Sequence, residues 1–221
     1  MYGGLLQRDL ELEDTEAQLT HLAAFQAGGA TLRALYRSVL ASEEYRAAPT
    51  DDPRAAGSKL VNPEQLASAV EDLTGYRFTY AGYDMLLTDT YGLRTLAGGV
   101  DGLYVSAPAR APTATMVLVQ ERLAEGAARH VVDHDRQNPD APRLLTRITF
   151  AETPSSDPDT MRAQIQDLHL RLFGTVVAAD GPEVTANLEL WSDLYALDHN
   201  AAEAWTGLVS VLLRDPLFLL Y

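Results

Sequence analysis

The chain contains no cysteine and a single lysine, Lys59. Without cysteine there are no disulfides, no thiolate catalysis, no cysteine-ligated zinc and no iron–sulfur cluster. Covalent haem attachment within this sequence is excluded too, because it requires a C-x-x-C-H motif. A chain of 221 residues is nevertheless long enough to bury a core without disulfides or metals.

Positive charge is also scarce. The 17 Lys and Arg residues are outnumbered by 31 Asp and Glu residues, which gives a formal net charge of −14. Such a surface repels nucleic-acid phosphates and anionic lipid headgroups, so we expect neither as a partner. Basic proteins and cations remain possible partners. No apolar run reaches about 18 residues, so the sequence predicts no membrane span.

The motifs of several common enzyme classes are missing. None of the serines lies in a G-x-S-x-G elbow, and the glycine-rich run at residues 98–102 lacks the lysine of a phosphate-binding loop. We therefore expect no cofactor, and a non-enzymatic role is favoured over an enzymatic one. No signal-peptide pattern opens the chain. Both ends carry apolar residues, which indicates a sequence cut from a longer protein or trimmed of a leader.

Helical patterns dominate what is present, and a similar one occurs at each end. In both places a long amphipathic helix, a short break, a second apolar helix and a tight aromatic turn follow one another. Valine, isoleucine and threonine do not alternate over any long stretch, so little or no sheet is expected. The sequence predicts an all-α fold, a helical bundle built from helix pairs, with an irregular middle segment rich in tyrosine and glycine.

Three segments are expected to form one compact unit. They are an N-terminal helix pair at residues 1–48, a central helical segment with an irregular loop at 60–136, and a C-terminal helical segment at 143–221. Asn62, Pro63 and Gln65 predict a capped helix start. Residues 86–96 and 143–150 are expected to form short helices.

One cluster has the spacing of metal ligands. His130 and His134 lie four residues apart, so both face one side of a helix, and Asp133 lies between them. The H-x-x-D-H run is similar to the inverted zinc-peptidase pattern, which has Glu in place of this Asp. A catalytic zinc needs a third ligand as well, for which His169 and Glu152 are the candidates. The alternative is a polar helix end, where histidines are favoured near the negative end of the dipole.

Three aspartates, Asp84, Asp89 and Asp101, lie among the glycines and tyrosines of the middle segment. Carboxylates and loop carbonyls are the ligands that calcium prefers, but the spacing is not that of an EF-hand loop. Helix-capping and turn roles are the alternative.

Tyrosines are concentrated in the same middle segment. Their amphipathic rings suit a pocket or a partner surface. The alternative is that they fill an irregular part of the core. The tyrosines concerned are Tyr76, Tyr80, Tyr83, Tyr91 and Tyr104.

Several short motifs carry a resemblance. LVNPEQL at residues 60–66, DLTG at 72–75, AGGVDG at 97–102 and LLRDPLF at 212–218 resemble uncharacterised exported bacterial proteins that accompany c-type cytochrome domains. The resemblance implies an extracytoplasmic helical module, in the periplasm or at the cell surface, beside an electron-transfer domain. It supplies no catalytic residues. Because this chain has no haem attachment motif, a haem would belong to another polypeptide or to a part of the protein outside this sequence.

These observations lead to two hypotheses. The first is a non-enzymatic interaction or structural module of an exported protein, an accessory subunit of an envelope or electron-transfer assembly that binds a protein partner. The second is a metal-dependent enzyme that uses His130 and His134.

Overall fold

The protein is mostly helical, as a computed structural model describing residues 5, 10, 12–46, 60–156 and 158–220 shows. The antiparallel strands β1 (Thr79–Tyr80) and β2 (Tyr83–Asp84) form a two-stranded sheet. These elements confirm the predicted all-α class. The helices are α1 (Thr15–Ala27), α2 (Leu32–Leu40), α3 (Glu43–Arg46), α4 (Pro63–Thr74), α5 (Leu93–Leu96), α6 (Ala114–Gln137), α7 (Pro158–Phe173), α8 (Pro182–Asp198) and α9 (Ala201–Leu213).

The chain divides into two compact units. The first comprises residues 1–60 with 220–221, and the second comprises residues 61–219. Helices α1 to α3 belong to the first unit and the remaining elements to the second. The three sequence segments and their union into one compact unit stay predictions. None of the described helices combines the length and the apolar composition that crossing a membrane requires.

In the first unit, α1 and α2 form a helical hairpin around a close contact. A Cβ atom on Gly28 would lie 2.2 Å from the Cβ of Ala34, so this approach of the two helices needs glycine. The Thr31 hydroxyl then begins α2 by accepting a hydrogen bond from the N–H of Ala34 at 3.3 Å. Val39 is fully buried, and Leu5, Ala17, Leu35 and Tyr45 pack against it.

The apolar stripe of α1 faces away from α2. Leu19 and Leu22 are exposed, whereas His21 is buried and its Nδ1 lies 2.8 Å from the Ser38 hydroxyl. On α2, Leu32, Tyr36 and Leu40 are exposed as well. The hairpin therefore has a small apolar contact around Val39 and leaves Leu19, Leu22, Leu32, Tyr36 and Leu40 exposed.

In the second unit the core is built on α6. Its buried positions recur at helical spacing from Met116 to Val132, and they pack mainly against α9, with α4 and α5 also in contact. Helix α8 packs against both α7 and α9. The side-chain amide of Gln120 is buried and donates to the carbonyls of Leu213 and Asp215, at 2.9 and 3.2 Å. That bond satisfies acceptors at the open C-terminal end of α9.

The two tryptophans join the C-terminal helix pair. Trp191 on α8 and Trp205 on α9 are fully buried, with ring centroids 5.7 Å apart. Tyr195 stacks on Trp191 at 5.3 Å with an interplanar angle of 19°. The two tryptophans therefore form core contacts between these helices.

The start of α4 follows the sequence prediction. The Asn62 side chain accepts from the N–H of Gln65 at 2.8 Å, and the Gln65 side chain accepts from the N–H of Asn62 at 3.0 Å. Pro63 occupies the first turn, and Gly75 ends the helix in the left-handed conformation with φ of 75°. A capping box of this kind satisfies two donors that the helix leaves open.

Of the two short helices that the sequence predicts, one is absent and the other is shorter than predicted. Residues 143–150 are an irregular segment, because buried side chains from α6 and α7 take up its backbone groups. Asp135 accepts from three of its N–H groups, while Gln164 accepts from Arg147 N–H and donates to the Leu144 carbonyl. In residues 86–96, only Leu93–Leu96 is helical.

We predict that Asn62→Ala destabilises the second unit by about 1 kcal/mol, because the N–H of Gln65 loses its acceptor. Urea denaturation followed by circular dichroism measures the change. Ser68→Ala, on the exposed side of the same helix, is the matched control and should stay within about 0.5 kcal/mol of the wild type. An Asn62 variant as stable as the control would contradict the role of the cap.

Candidate partner surface

A two-residue turn joins β1 to β2 and fixes the position of two tyrosines. Ala81 and Gly82 both have positive φ, 49° and 84°, which a type I′ turn requires. Tyr80 pairs with Tyr83 across the strands. Because paired residues share a face of a sheet, both tyrosines leave the hairpin on the same side.

A third tyrosine completes an aromatic group on that side. The Tyr91 ring lies edge-on to the other two, with centroid distances of 5.4 Å to Tyr80 and 6.3 Å to Tyr83 and interplanar angles of 76° and 73°. Edge-to-face contacts of this kind are the arrangement that aromatic rings prefer. The side chains remain 65%, 47% and 49% exposed for Tyr80, Tyr83 and Tyr91. We refer to these three residues as the tyrosine cluster.

The backbone beneath the tyrosine cluster is held by aspartates. One Asp84 carboxylate oxygen accepts from the N–H groups of Leu86 and Leu87, both at 2.9 Å. The carboxylate of Asp89 accepts from the N–H and the hydroxyl of Thr95, at 3.0 and 2.8 Å. Leu86 itself is fully buried, which anchors this loop in the core. These hydrogen bonds therefore fix the backbone that carries the three rings.

Asp101 holds a separate turn. One of its carboxylate oxygens accepts from the N–H groups of Leu103, Tyr104 and Val105 at 2.7, 2.7 and 2.8 Å. The hydrogen bonds from Val105 and Leu103, with that from Tyr104, lower the pKa of Asp101 below its ordinary value. Leu103 and Tyr104 are 76% and 87% exposed at the tip of this turn.

The five tyrosines named from the sequence therefore separate into three groups. Tyr80, Tyr83 and Tyr91 contact one another, whereas Tyr104 lies on the Asp101 turn. Tyr76 is a packing residue that lies over α6. Its hydroxyl would be 2.4 Å from a Cβ atom on Gly126, and its ring lies 6.5 Å from Phe78 and 5.8 Å from His130. Burial raises the pKa of Tyr76.

The three aspartates proposed for calcium are used as acceptors in turns. Asp84 and Asp101 receive hydrogen bonds from their own turns and Asp89 from Thr95 in α5, as the capping and turn alternative expects. Over the described ranges, no group of three or more His, Asp or Glu side chains is arranged to hold a metal ion.

The residues proposed for zinc also have other contacts. The His134 Nδ1 donates to the Asp135 carboxylate at 2.9 Å, while the exposed His130 lies against the Tyr76 ring. Asp133 accepts a long hydrogen bond from Arg136 at 3.5 Å. Among the described residues, the side chains of His130, Asp133 and His134 are not arranged to bind one metal ion.

The candidate third ligands have partners as well. One Glu152 oxygen accepts from the N–H and hydroxyl of Thr149, at 2.7 and 3.0 Å. The Nε2 of His169 lies 2.8 Å from the side-chain nitrogen of Asn187. The metal-dependent enzyme stays a prediction that none of these contacts favours.

Sequence reasoning overlooked Asp135, the buried carboxylate beside His134. Its side chain is 0% exposed. It accepts from the N–H groups of Arg143, Leu144 and Leu145 at 2.7, 2.9 and 2.8 Å. Burial alone raises the pKa of Asp135, but these hydrogen bonds and that of His134 outweigh it and lower the pKa below its ordinary value. The role of Asp135 is structural. By accepting these N–H groups it holds the start of residues 143–150 in an irregular conformation instead of the predicted helix.

The cavities near these residues do not favour a small ligand. The space lined by Tyr76, Phe78 and Leu86 has a volume of about 10 Å³, room for a single water molecule. A wider cleft of about 460 Å³ is lined by Arg147, Asp159, Thr160 and Ala163. It is open to solvent, and Arg147 is already paired with Asp167. Neither of these two cavities is lined by Tyr80, Tyr83 or Tyr91, and exposed tyrosines of this kind suit a macromolecular partner.

We predict that Asp135→Asn destabilises the protein by about 2 kcal/mol near neutral pH, because an amide accepts with one oxygen only and its NH₂ faces backbone donors. The pKa of Asp135 is lower folded than unfolded, so its stabilisation is present above the unfolded pKa and is lost as the pH falls through the folded pKa. The difference between wild type and variant should therefore shrink below about pH 3.9.

Urea denaturation over a pH series measures this difference. Asp133→Asn is the control, since Asp133 lies two residues away, is half exposed and pairs only weakly with Arg136; its effect should stay below about 1 kcal/mol. If Asp135→Asn were no more destabilising than Asp133→Asn, the buried carboxylate would not hold the loop.

We also predict that calcium, zinc and a chelator each leave the melting temperature unchanged, because the candidate aspartates already accept hydrogen bonds from nearby residues and the candidate histidines contact Tyr76 and Asp135 instead of converging on one point. A ligand that binds only the folded state would raise it. Differential scanning fluorimetry on protein dialysed against chelator tests this. A melting temperature that rises with calcium in the wild type but not in Asp84→Asn would contradict this prediction and support a calcium site.

Comparison with known proteins gives no relative from which a role can be transferred. No family model matches the chain, and neither a curated protein nor a solved structure matches it. The resemblance to exported proteins that accompany cytochrome domains consequently rests on the short motifs alone. The role of the chain has to be argued from its own surface, and the comparisons assign it to no family.

Proposed function

We propose that this chain is a non-enzymatic helical module that binds a protein partner through the tyrosine cluster. The observation that carries the proposal is the arrangement of Tyr80, Tyr83 and Tyr91: the Tyr91 ring lies edge-on to the rings of both hairpin tyrosines, and all three side chains remain about half exposed or more. Tyrosine is enriched where protein interfaces concentrate their binding energy.

The rigidity of the cluster favours binding. A tyrosine has only two side-chain torsions, so ordering it costs little conformational entropy. Here the rings already restrain one another, and Asp84 and Asp89 restrain the loops that carry them. Much of the ordering cost that association usually carries is therefore met before a partner arrives.

Charge indicates the kind of partner. The chain has a formal net charge of −14, and Asp84 lies within the hairpin that carries Tyr80 and Tyr83. A partner face with arginine or lysine complements this charge and can place a cation over the exposed rings. The extracytoplasmic location and the place in an electron-transfer assembly rest on the resemblance alone and stay predictions.

The proposal is tested by photocrosslinking followed by affinity measurement. A photoreactive phenylalanine analogue at position 83 or 91 should give one crosslinked species in the native source, which mass spectrometry identifies. The same analogue at Leu197, which is 81% exposed on α8, is the matched control and should give none. Absence of any product specific to positions 83 and 91 would contradict the proposal.

We predict that Tyr91→Ala weakens binding of the identified partner by about tenfold or more, because it removes the ring that contacts both others. Isothermal titration calorimetry measures the affinity. Tyr104→Ala, which removes an exposed tyrosine outside the cluster, should bind as the wild type does. Equal affinities for the wild type and Tyr91→Ala would place the partner elsewhere.

A further inference from the structure

His169 is a buried imidazole on α7, a helix that packs against α8 and against the 3₁₀ turn Pro216–Leu219. The residue is 8% exposed. The Phe173 ring lies edge-on to the imidazole, with centroids 5.4 Å apart and an interplanar angle of 60°. The imidazole is therefore part of the packing that holds α7 in the second unit.

One ring nitrogen of His169 joins α7 to α8. Nε2 lies 2.8 Å from the side-chain nitrogen of Asn187. Because an amide NH₂ group can only donate, Nε2 accepts this hydrogen bond and the ring proton is on Nδ1. Only the neutral imidazole can do this, since both nitrogens of a protonated ring are donors. Protonation therefore turns a hydrogen bond between the two helices into a contact between two donors.

Carboxylates act on the same ring from the elements packed against α7. Glu183 is in the first turn of α8, and Asp215 precedes the turn Pro216–Leu219. Burial lowers the pKa of His169 below its ordinary value, and it outweighs the attraction of Glu183 and Asp215 for a protonated ring. The folded protein therefore keeps this histidine neutral over a pH range in which the unfolded chain takes up a proton.

The segment between α7 and α8 is attached to the same stretch of α7. The Gln166 side chain donates to the carbonyl of Val177 at 2.8 Å, and the N–H of Thr175 donates to the carbonyl of His169 at 3.4 Å. Val177 itself is buried. Together with the bond to Asn187, three hydrogen bonds fasten this segment and the start of α8 to α7. The His169 ring is the one titratable group among them.

We propose that His169 makes the packing of α8 on α7 sensitive to pH: the neutral ring holds the two helices together, and its protonation loosens them. The folded pKa lies below the unfolded one, so the stabilisation is complete above the unfolded pKa of about 6.5. It is lost as the pH falls through that value towards the folded pKa, because the unfolded state then binds more protons. Mild acid is thus the condition that loosens the contact.

NMR titration of the full chain with isotope-labelled histidine tests the state of the ring directly. Comparison with His169→Gln assigns the resonances of His169. Its neutral ring should carry the proton on Nδ1, and its titration midpoint should lie below about 6.5. A proton on Nε2, or a midpoint at or above that value, would overturn the proposal.

Urea denaturation between about pH 7.5 and pH 5.5 measures the effect on stability. His169→Gln is the matched variant, because its side-chain oxygen can accept from Asn187 and does not titrate. The unfolding equilibrium constant of the wild type should rise in acid by more than that of His169→Gln. The excess has a limit of about tenfold for each pH unit, which is the value for a single proton. The same pH dependence in both proteins would contradict the proposal.

Asn187→Asp separates a titrating contact from one that only fills space. The new carboxylate accepts from a protonated Nε2, so the variant should raise the titration midpoint of His169 and reduce or reverse the loss of stability in acid. Thr185→Asp adds the same charge on the exposed side of α8 and should shift the midpoint less. A midpoint that Asn187→Asp leaves unchanged would show that Asn187 does not control the ring.

Discussion

Backbone N–H groups in the irregular segments of this protein need acceptors, and aspartate side chains supply them. Asp84 and Asp101 each accept from the turn that follows them, and Asp89 accepts from Thr95 in α5. Asp135 accepts from three N–H groups of residues 143–145. A buried N–H without a partner is costly, so a loop settles where acceptors are available. The tyrosine cluster and the segment at residues 143–150 both owe their positions to this constraint. Part of the acidic composition is thereby used inside the fold.

Sequence patterns predict best where the physical cause is local. The capping box of Asn62 and Gln65, with Pro63 in the first turn, depends on residues within one helical turn, and the structure reproduces it. The all-α class follows from periodicity along each helix. By contrast, residues 143–150 carry an apolar pattern typical of a short helix, yet Asp135 accepts their N–H groups from eight to ten residues away. A competing acceptor at that distance leaves no mark in the local pattern.

The sequence identifies the tyrosines of the candidate surface but not which of them lie together. All five tyrosines can be named from their crowding, but their division depends on contacts that composition does not contain. Tyr76 becomes a packing residue because Gly126 leaves room for its hydroxyl. The cluster depends on the turn at Ala81, where alanine replaces the asparagine or aspartate that usually marks a type I′ turn. The signal that was available is Gly82 between two tyrosines.

The two helix pairs that look alike in the sequence differ in what covers them. A pair of helices buries a continuous core only when further helices lie against its apolar side. For α8 and α9 that condition is met within their own unit, because α9 packs along α6 and both tryptophans are fully buried. For α1 and α2 the described part of their unit adds the single turn of α3, the short helix Leu12–Asp14 and Leu5, and five large apolar side chains of the pair remain exposed. One amphipathic pattern therefore has two consequences: with a covering helix it forms a core, and without one it leaves large apolar side chains exposed.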